Sequence, residues 1–219
     1  MKDKGDKNFS FMFFKDTFDY KNNAADFDRV FRGDSSNQVR ATSSGHKYLE
    51  APLMLRFSGH DLFYRGFFNF GWGMGLGLGY NGGKGRFTDG TVSQVNFSLW
   101  TIPVDFSLLM EFPIMPWIKL SLTGGPSVLG LIQNRSDLPD GNKRKTMNQM
   151  STGYFAAAKV NIALSQMFPG VSYEFLSAYK ITRYFLSIEG RTQNYSSFQS
   201  SDLEVSGSSL GAGFTFEFF

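Results

Sequence analysis

The chain contains only two imidazoles, His46 and His60, and no cysteine. Nucleophilic catalysis needs a nucleophile, a base within hydrogen-bond reach and a third group that orients the base. His46 follows Ser43 and Ser44, and His60 stands beside Ser58 and Asp61. Such neighbours arise by composition alone in polar connections, so no catalytic residue is assigned and no enzyme is expected. The lack of cysteine removes disulfide frameworks, thiolate zinc sites and thiol nucleophiles. Asp19, Asp26, Asp28 and Asp34 could suggest calcium, but Lys21, Arg29 and Arg32 interleave with them. The Asp-x-Asp-x-Asp-Gly order of a calcium loop is missing, so neither metal nor cofactor is expected. Gly73 to Gly79 includes Gly-x-Gly spacing. A phosphate loop needs irregular glycines at a strand-to-helix turn, and these alternate strictly with no helical pattern after them. Arg135, Lys143, Arg144 and Lys145 form a basic cluster of the kind that meets lipopolysaccharide phosphates, although Asp137 and Asp140 balance it.

Composition bounds the remaining classes. The 219 residues fit one domain, residues 1–219, with 42% hydrophobic and 19% charged residues, which is not a disordered polyelectrolyte. Aromatics reach 17%, with 25 Phe beside 24 Gly. A net charge of +3, spread along the chain, gives no footprint for nucleic acid. Mean hydropathy is −0.21. No run approaches the roughly 18 apolar residues of a spanning helix, which leaves membrane barrels open. Met1 to Lys7 lack the apolar core of a secretory signal, so either the chain stays inside the cell or a signal has been replaced by Met1.

The elements that would position any site announce themselves by period two. Between Tyr64 and Tyr80, Tyr64, Gly66, Phe68, Phe70, Trp72, Met74, Leu76, Leu78 and Tyr80 alternate with Arg65, Phe67, Asn69, Gly71, Gly73, Gly75, Gly77 and Gly79. A helix would scatter both sets, whereas a strand puts all the bulk on one face. The same alternation runs through Leu49–Phe57, Trp100–Met110, Ile118–Leu122, Tyr154–Leu164, Tyr184–Ile188 and Leu210–Phe218, and Phe9, Phe11 and Phe13 add a strand at the start. Eight antiparallel strands in an up-and-down order are expected. Short turns are expected at Ser58 to Asp61 and Phe112 to Met115, with a somewhat longer connection from Phe168. Long polar loops are expected at about Thr17 to Lys47, Asn81 to Ser93, Gln133 to Met150 and Asn194 to Asp202, with a helical turn at Ala24 to Phe31 over the mouth.

Two arrangements share this pattern: a membrane barrel with its apolar face outward, and a soluble lipocalin-like barrel that holds an apolar ligand inside. A narrow lumen cannot hold Phe68, Phe70, Trp72, Phe106, Phe214, Phe216 and Phe218 together, but it accepts the glycine series. The polar phase carries Glu50, Asp105, Glu111, Glu189 and Glu217 against Arg56, Arg65, Lys119, Lys159, Arg183 and Arg191. Turned inward they pair and plug the lumen, with the glycines leaving room for Arg65, Lys119 or an aromatic from across the barrel. A one-residue slip would aim them all at hydrocarbon. Basic residues at mid-depth cost ~2–4 kcal/mol each, a total on the order of a whole domain's stability. The apolar face is therefore placed outward. On that face Gly124, Pro126, Gly130, Ala156 and Ala158 make a flat patch where a second barrel or a lipid chain could lie close.

The stretch Tyr48-Leu49-Glu50-Ala51-Pro52-Leu53, the glycine-alternating strand and the terminal Phe214-Thr215-Phe216-Glu217-Phe218-Phe219 resemble small bacterial outer-membrane β-barrels of the OmpA-like and PorT-like type, from about Phe9 to Phe219. The resemblance implies an all-β, eight-stranded antiparallel up-and-down transmembrane β-barrel with periplasmic termini. It also implies that Phe214, Phe216, Phe218 and Phe219 form an assembly signal read by the barrel-assembly machinery. Here the apolar series ends at Phe218, and Glu217 and Thr215 occupy the alternate positions before Phe219. The expected role is a non-enzymatic structural or surface protein of the cell envelope, in contact with membrane lipid and lipopolysaccharide and self-associating through its wall. The alternatives are the soluble carrier, a lipid-modifying enzyme based on His46, and a pore if the lumen charges line a channel.

Overall fold

The computed structural model of the chain describes residues 6–15, 19–22, 31–32, 39–41, 47–49, 53–86, 92–135, 146–198 and 203–219. Its elements in chain order are β1 (Lys7–Lys15), β2 (Asp19–Asn22), β3 (Phe31–Arg32), β4 (Val39–Ala41), β5 (Lys47–Leu49), β6 (Leu53–Arg65), β7 (Asn69–Arg86) and β8 (Val92–Met115). They continue with β9 (Ile118–Arg135), β10 (Thr146–Ala163), a 3-10 turn (Leu164–Gln166), α1 (Pro169–Tyr179), β11 (Ile181–Phe198) and β12 (Leu203–Phe218). Strands β1 and β6 to β12 pair antiparallel, each with the next, and β1 returns to β12 with Lys7 opposite Phe218 and Phe14 opposite Gly211. The expected eight-stranded up-and-down barrel is thus closed, with no free edge. Strand β2 extends the long-loop end by pairing with the start of β12, β3 pairs with β2, and β4 and β5 form a separate two-stranded ladder.

The strands are longer than the alternation alone suggested, and two expected turns are not turns. Ser58 to Asp61 lies inside β6, paired on one side with Lys7 to Ser10 of β1 and on the other with Trp72 to Gly75 of β7. Ser-Gly-His-Asp has turn chemistry. Here Gly59 faces outward, opposite Phe9 and Met74 in the two ladders, and pairing on both sides overrides the local preference. The chain turns instead at Gly66 to Phe68, so Gly66 and Phe68 belong to the turn and Tyr64 to β6. Phe112 to Met115 likewise continues β8, and the turn is Pro116-Trp117. The connection from Phe168 holds a helix, which was not expected. The last loop is shorter than expected, since β11 runs to Phe198 and β12 begins at Leu203. The helical turn expected at Ala24 to Phe31 falls mostly outside the described residues; Phe31 itself is in β3.

The faces sort as the register argument required. Trp72, Met74, Leu76 and Leu78 are exposed on the wall, while Gly71 to Gly79 turn inward. The inward glycines accommodate side chains of the flanking strands, not of strands across the barrel. A Cβ on Gly75 would come within 2.9 Å of Arg56 Nη2 and 3.3 Å of Asp105 Oδ2, and one on Gly73 would run into the His60 ring and Gly59 O. The interior also departs from the expected charged and aromatic filling. Met12, Phe14, Met54, Leu99, Leu129, Leu131, Tyr195 and Val205 pack into a buried, largely aliphatic cluster toward the long-loop end. Each shares the phase of the inward polar residues on its strand, so alternation could not separate them.

A branched side chain at Gly75 must displace the Arg56–Asp105 pair. Gly75→Val is expected to cost about 1–3 kcal/mol, read as a lowered urea midpoint in detergent micelles. Gly190→Ala, where an added Cβ meets nothing within 4 Å, should leave the midpoint unchanged.

Candidate functional site in the barrel interior

Among the described residues, eight charged side chains are buried inside: Arg56, Lys119, Lys159 and Arg191 as cations, Asp105, Glu111, Glu189 and Glu217 as anions. The count balances, as a low-dielectric cavity requires, because an unmatched buried charge costs far more than a paired one.

Near the short-turn end, Lys119 lies between two carboxylates. Its Nζ reaches Glu111 Oε1 at 2.9 Å and also donates to Glu217. It stands 4.8 Å from the centre of the Phe185 ring. Glu111 is further held by Asn8 Nδ2 at 3.1 Å and Asn69 Nδ2 at 3.4 Å. Asn8 Oδ1 lies 3.1 Å from His60 Nδ1, and His60 Nε2 lies 3.0 Å from Ser107 Oγ. In the neutral imidazole, Nδ1–H donates to Asn8 and Nε2 accepts from the Ser107 hydroxyl.

Above this lies a hydroxyl layer. Lys159 Nζ donates to Ser10 Oγ at 2.8 Å, Ser10 meets Thr215 at 2.9 Å, and Thr215 meets Ser187 at 2.8 Å. Ser187 then donates to Asn161 Oδ1 at 2.7 Å, and Asn161 Nδ2 donates to Ser121 at 2.9 Å. Glu189 sits directly opposite Lys159 in the ladder.

The third layer centres on Asp105, which is fully buried. Arg56 pairs with one of its oxygens, and Arg191 Nη2 and Ser127 Oγ donate to the other, Arg191 at 3.0 Å. Arg191 Nε also donates to Gln193 Oε1 at 2.9 Å, and Ser127 meets Tyr195 Oη at 2.7 Å. The Phe155 ring faces both guanidinium groups, with centroid distances of 3.9 Å to Arg191 and 5.3 Å to Arg56. Arginine suits this position because its flat cation stacks on a ring while its edge binds carboxylate. The aliphatic cluster lies beyond, toward the long loops.

Of the expected charge set, Arg56, Asp105, Glu111, Lys119, Lys159, Glu189, Arg191 and Glu217 come together inside. Arg65 and Arg183 do not. Both are only partly buried, and Arg65 pairs at 3.0 Å with exposed Asp6 at the short-turn rim. Both stand close to the ends of their strands, where the wall no longer encloses them. Glu50 lies outside the described residues, as do His46, Asp26, Asp28, Asp34, Lys143, Arg144 and Lys145. His60 is a correction. It is an interior residue, not part of a turn, and its partners Asn8 and Ser107 were not singled out. The available signal was its phase, since His60 shares parity with the inward Met54 and Arg56. On the wall, Gly124 faces Ala156, Pro126 faces Tyr154 and Gly130 faces Met150 across one ladder, with Ala158 beside them opposite Leu122. Phe214 and Phe219 are exposed, and Phe216 and Phe218 are half-buried on the same outward face. The wall also carries an apolar groove between Leu53, Leu55, Leu78 and the Tyr80–Trp100 pair, whose rings lie 4.9 Å apart.

Removing Asp105 strands two buried cations. Asp105→Ala is expected to lose about 3–5 kcal/mol. The combined Arg56→Met, Asp105→Leu, Arg191→Leu variant should recover most of that loss in the same urea titration.

No family model and no curated protein matches the sequence. Among solved structures, the crystal structure of Neisserial surface protein A aligns with 97% of this chain and 96% of its own, at 11% identity and a TM-score of 0.47. The attachment invasion locus protein of Yersinia pestis, in complex with the heparin analogue sucrose octasulfate, aligns over 96% and 99% at 10% identity and a TM-score of 0.44. The outer membrane protease OmpT from Escherichia coli aligns over 97% and 96% at 8% identity and a TM-score of 0.44.

Proposed function

We propose that this chain is an integral protein of the bacterial outer membrane, with a closed interior and no enzymatic activity, acting through its surfaces. The observation that carries the reading is the inversion of a soluble protein's faces: balanced ions and hydroxyls within, and exposed Trp72, Leu76, Phe106, Leu108, Leu210 and Phe214 around the outside. In water such a wall would be a very large apolar patch, whereas in a bilayer it is the solvated surface. The soluble-carrier reading loses support, because the aliphatic interior is packed and the apolar groove lies on the wall.

In this reading the short turns and both termini face the periplasm and the long loops face outward. The final aromatics are the segment presented to the barrel-assembly machinery, and lipopolysaccharide phosphates meet the basic loop. The patch of Gly124, Pro126, Gly130, Ala156 and Ala158 is the surface for self-association. The aliphatic cluster closes the lumen toward the long loops, so the ions below it line no open path. Ser107, His60 and Asn8 form a relay by geometry, but all are buried and tied onward to Glu111, away from any lipid substrate. Their role is interior packing.

Spin labels at Leu120 and Val160 should report oxygen-rich hydrocarbon in reconstituted vesicles, and water at either position refutes the membrane reading. Planar-bilayer recordings should show no large stable conductance. Hydrolysis of a fluorescent phospholipid that disappears in Ser107→Ala would establish an enzyme instead. Crosslinking in mild detergent that yields only monomer refutes self-association.

A further inference from the structure

Helix α1 is an element that the barrel plan does not require. Pro169 sits in its first turn, and it ends where Lys180 takes a left-handed conformation (φ 61°) with its N–H bonded to Leu176 O at 3.2 Å. Its place is fixed by side chains. Ser172 Oγ donates to Ser165 O at 2.7 Å, and Gln166 Nε2 donates to Pro116 O of the neighbouring turn at 2.8 Å.

The helix lies outside the wall, not beneath the lumen. Tyr184 belongs to the outward phase of β11 with Leu186 and Ile188, which are 36% and 45% exposed, yet Tyr184 is only 8% exposed. The Phe175 ring covers it, with centroids 5.2 Å apart, and its hydroxyl meets Phe168 O at 3.5 Å. Phe175 thus packs the helix against the barrel.

No residue of α1 is buried, and Val171, Tyr173, Leu176 and Tyr179 are exposed, as are Met167 and Phe168 just before it. Eleven residues make a helix that is marginal in water without a packed face. A helix this apolar, continuous with an apolar wall, calls for an apolar neighbour on the flank that carries Leu176 and Tyr179. The charged Glu174 lies on nearly the opposite side, two residues from Leu176 on a 3.6-residue turn. We infer that α1 is an interfacial anchor, seated in the headgroup boundary of the inner leaflet against the outside of the barrel, with Leu176 and Tyr179 in lipid and Glu174 in water. The inference rests on the outer-membrane reading above.

The chain has no native cysteine, so single labels are clean. Leu176→Cys, Tyr179→Cys, Glu174→Cys and, as a wall reference, Ile188→Cys are spin-labelled in phospholipid vesicles. Collision rates with oxygen and with a water-soluble nickel chelate are then compared. Leu176 and Tyr179 should show an oxygen-to-nickel ratio severalfold above that of Glu174 and approaching that of Ile188. If Ile188 reports lipid while Leu176 and Tyr179 match Glu174, the anchor is refuted and the barrel reading stands. If Ile188 itself reports water, both fall. Using two helix positions guards against one variant failing to fold.

Discussion

Hydrocarbon does not solvate ions, and that prohibition sets nearly everything else in this barrel. Because side chains alternate along a strand, placing Arg56 or Asp105 inward also decides where Leu55, Phe57, Val104 and Phe106 must point. Register, strand pairing and the sidedness of the wall therefore follow from the ionised groups as much as from the apolar ones. Bringing the ions together is tolerable because, among the described residues, four buried cations meet four buried anions, with hydroxyls and amides as further partners.

The interior is layered along its axis. The Lys119 carboxylate clamp, the serine and threonine layer and the Asp105 centre succeed one another, and the aliphatic cluster covers the last. Strand β7 makes this stacking fit. Its bare inner face lets His60, Arg56 and Pro103 from the flanking strands fold over it. A side chain at those positions would compete for the space that the charge network fills.

Much of this was legible in the order of residues. Period two revealed the strands, and the sign balance of the polar phase revealed which side had to face inward. What stayed hidden depends on pairing across distance. His60 meets Asn8 and Ser107, 52 and 47 residues away, and no local pattern announces either contact. Ser58 to Asp61 read as a turn because serine, glycine and aspartate favour one, yet two neighbouring ladders hold the segment extended. Helix α1 escaped for a related reason. Its stretch lacks a strong polar face, and what steadies it is a ring on the outer wall. The aliphatic inner cluster was invisible because parity reports the side of the sheet but not the depth along the axis.

The seam between first and last strands bears on how the molecule is made. Glu217 supplies one of the two carboxylates around Lys119, and Thr215 links Ser10 to Ser187. Without β12 the interior described above would hold four cations against three anions, with Ser10 and Ser187 unjoined. Closing the ring and neutralising the enclosed volume thus coincide in one strand, which makes β12 the keystone of the barrel.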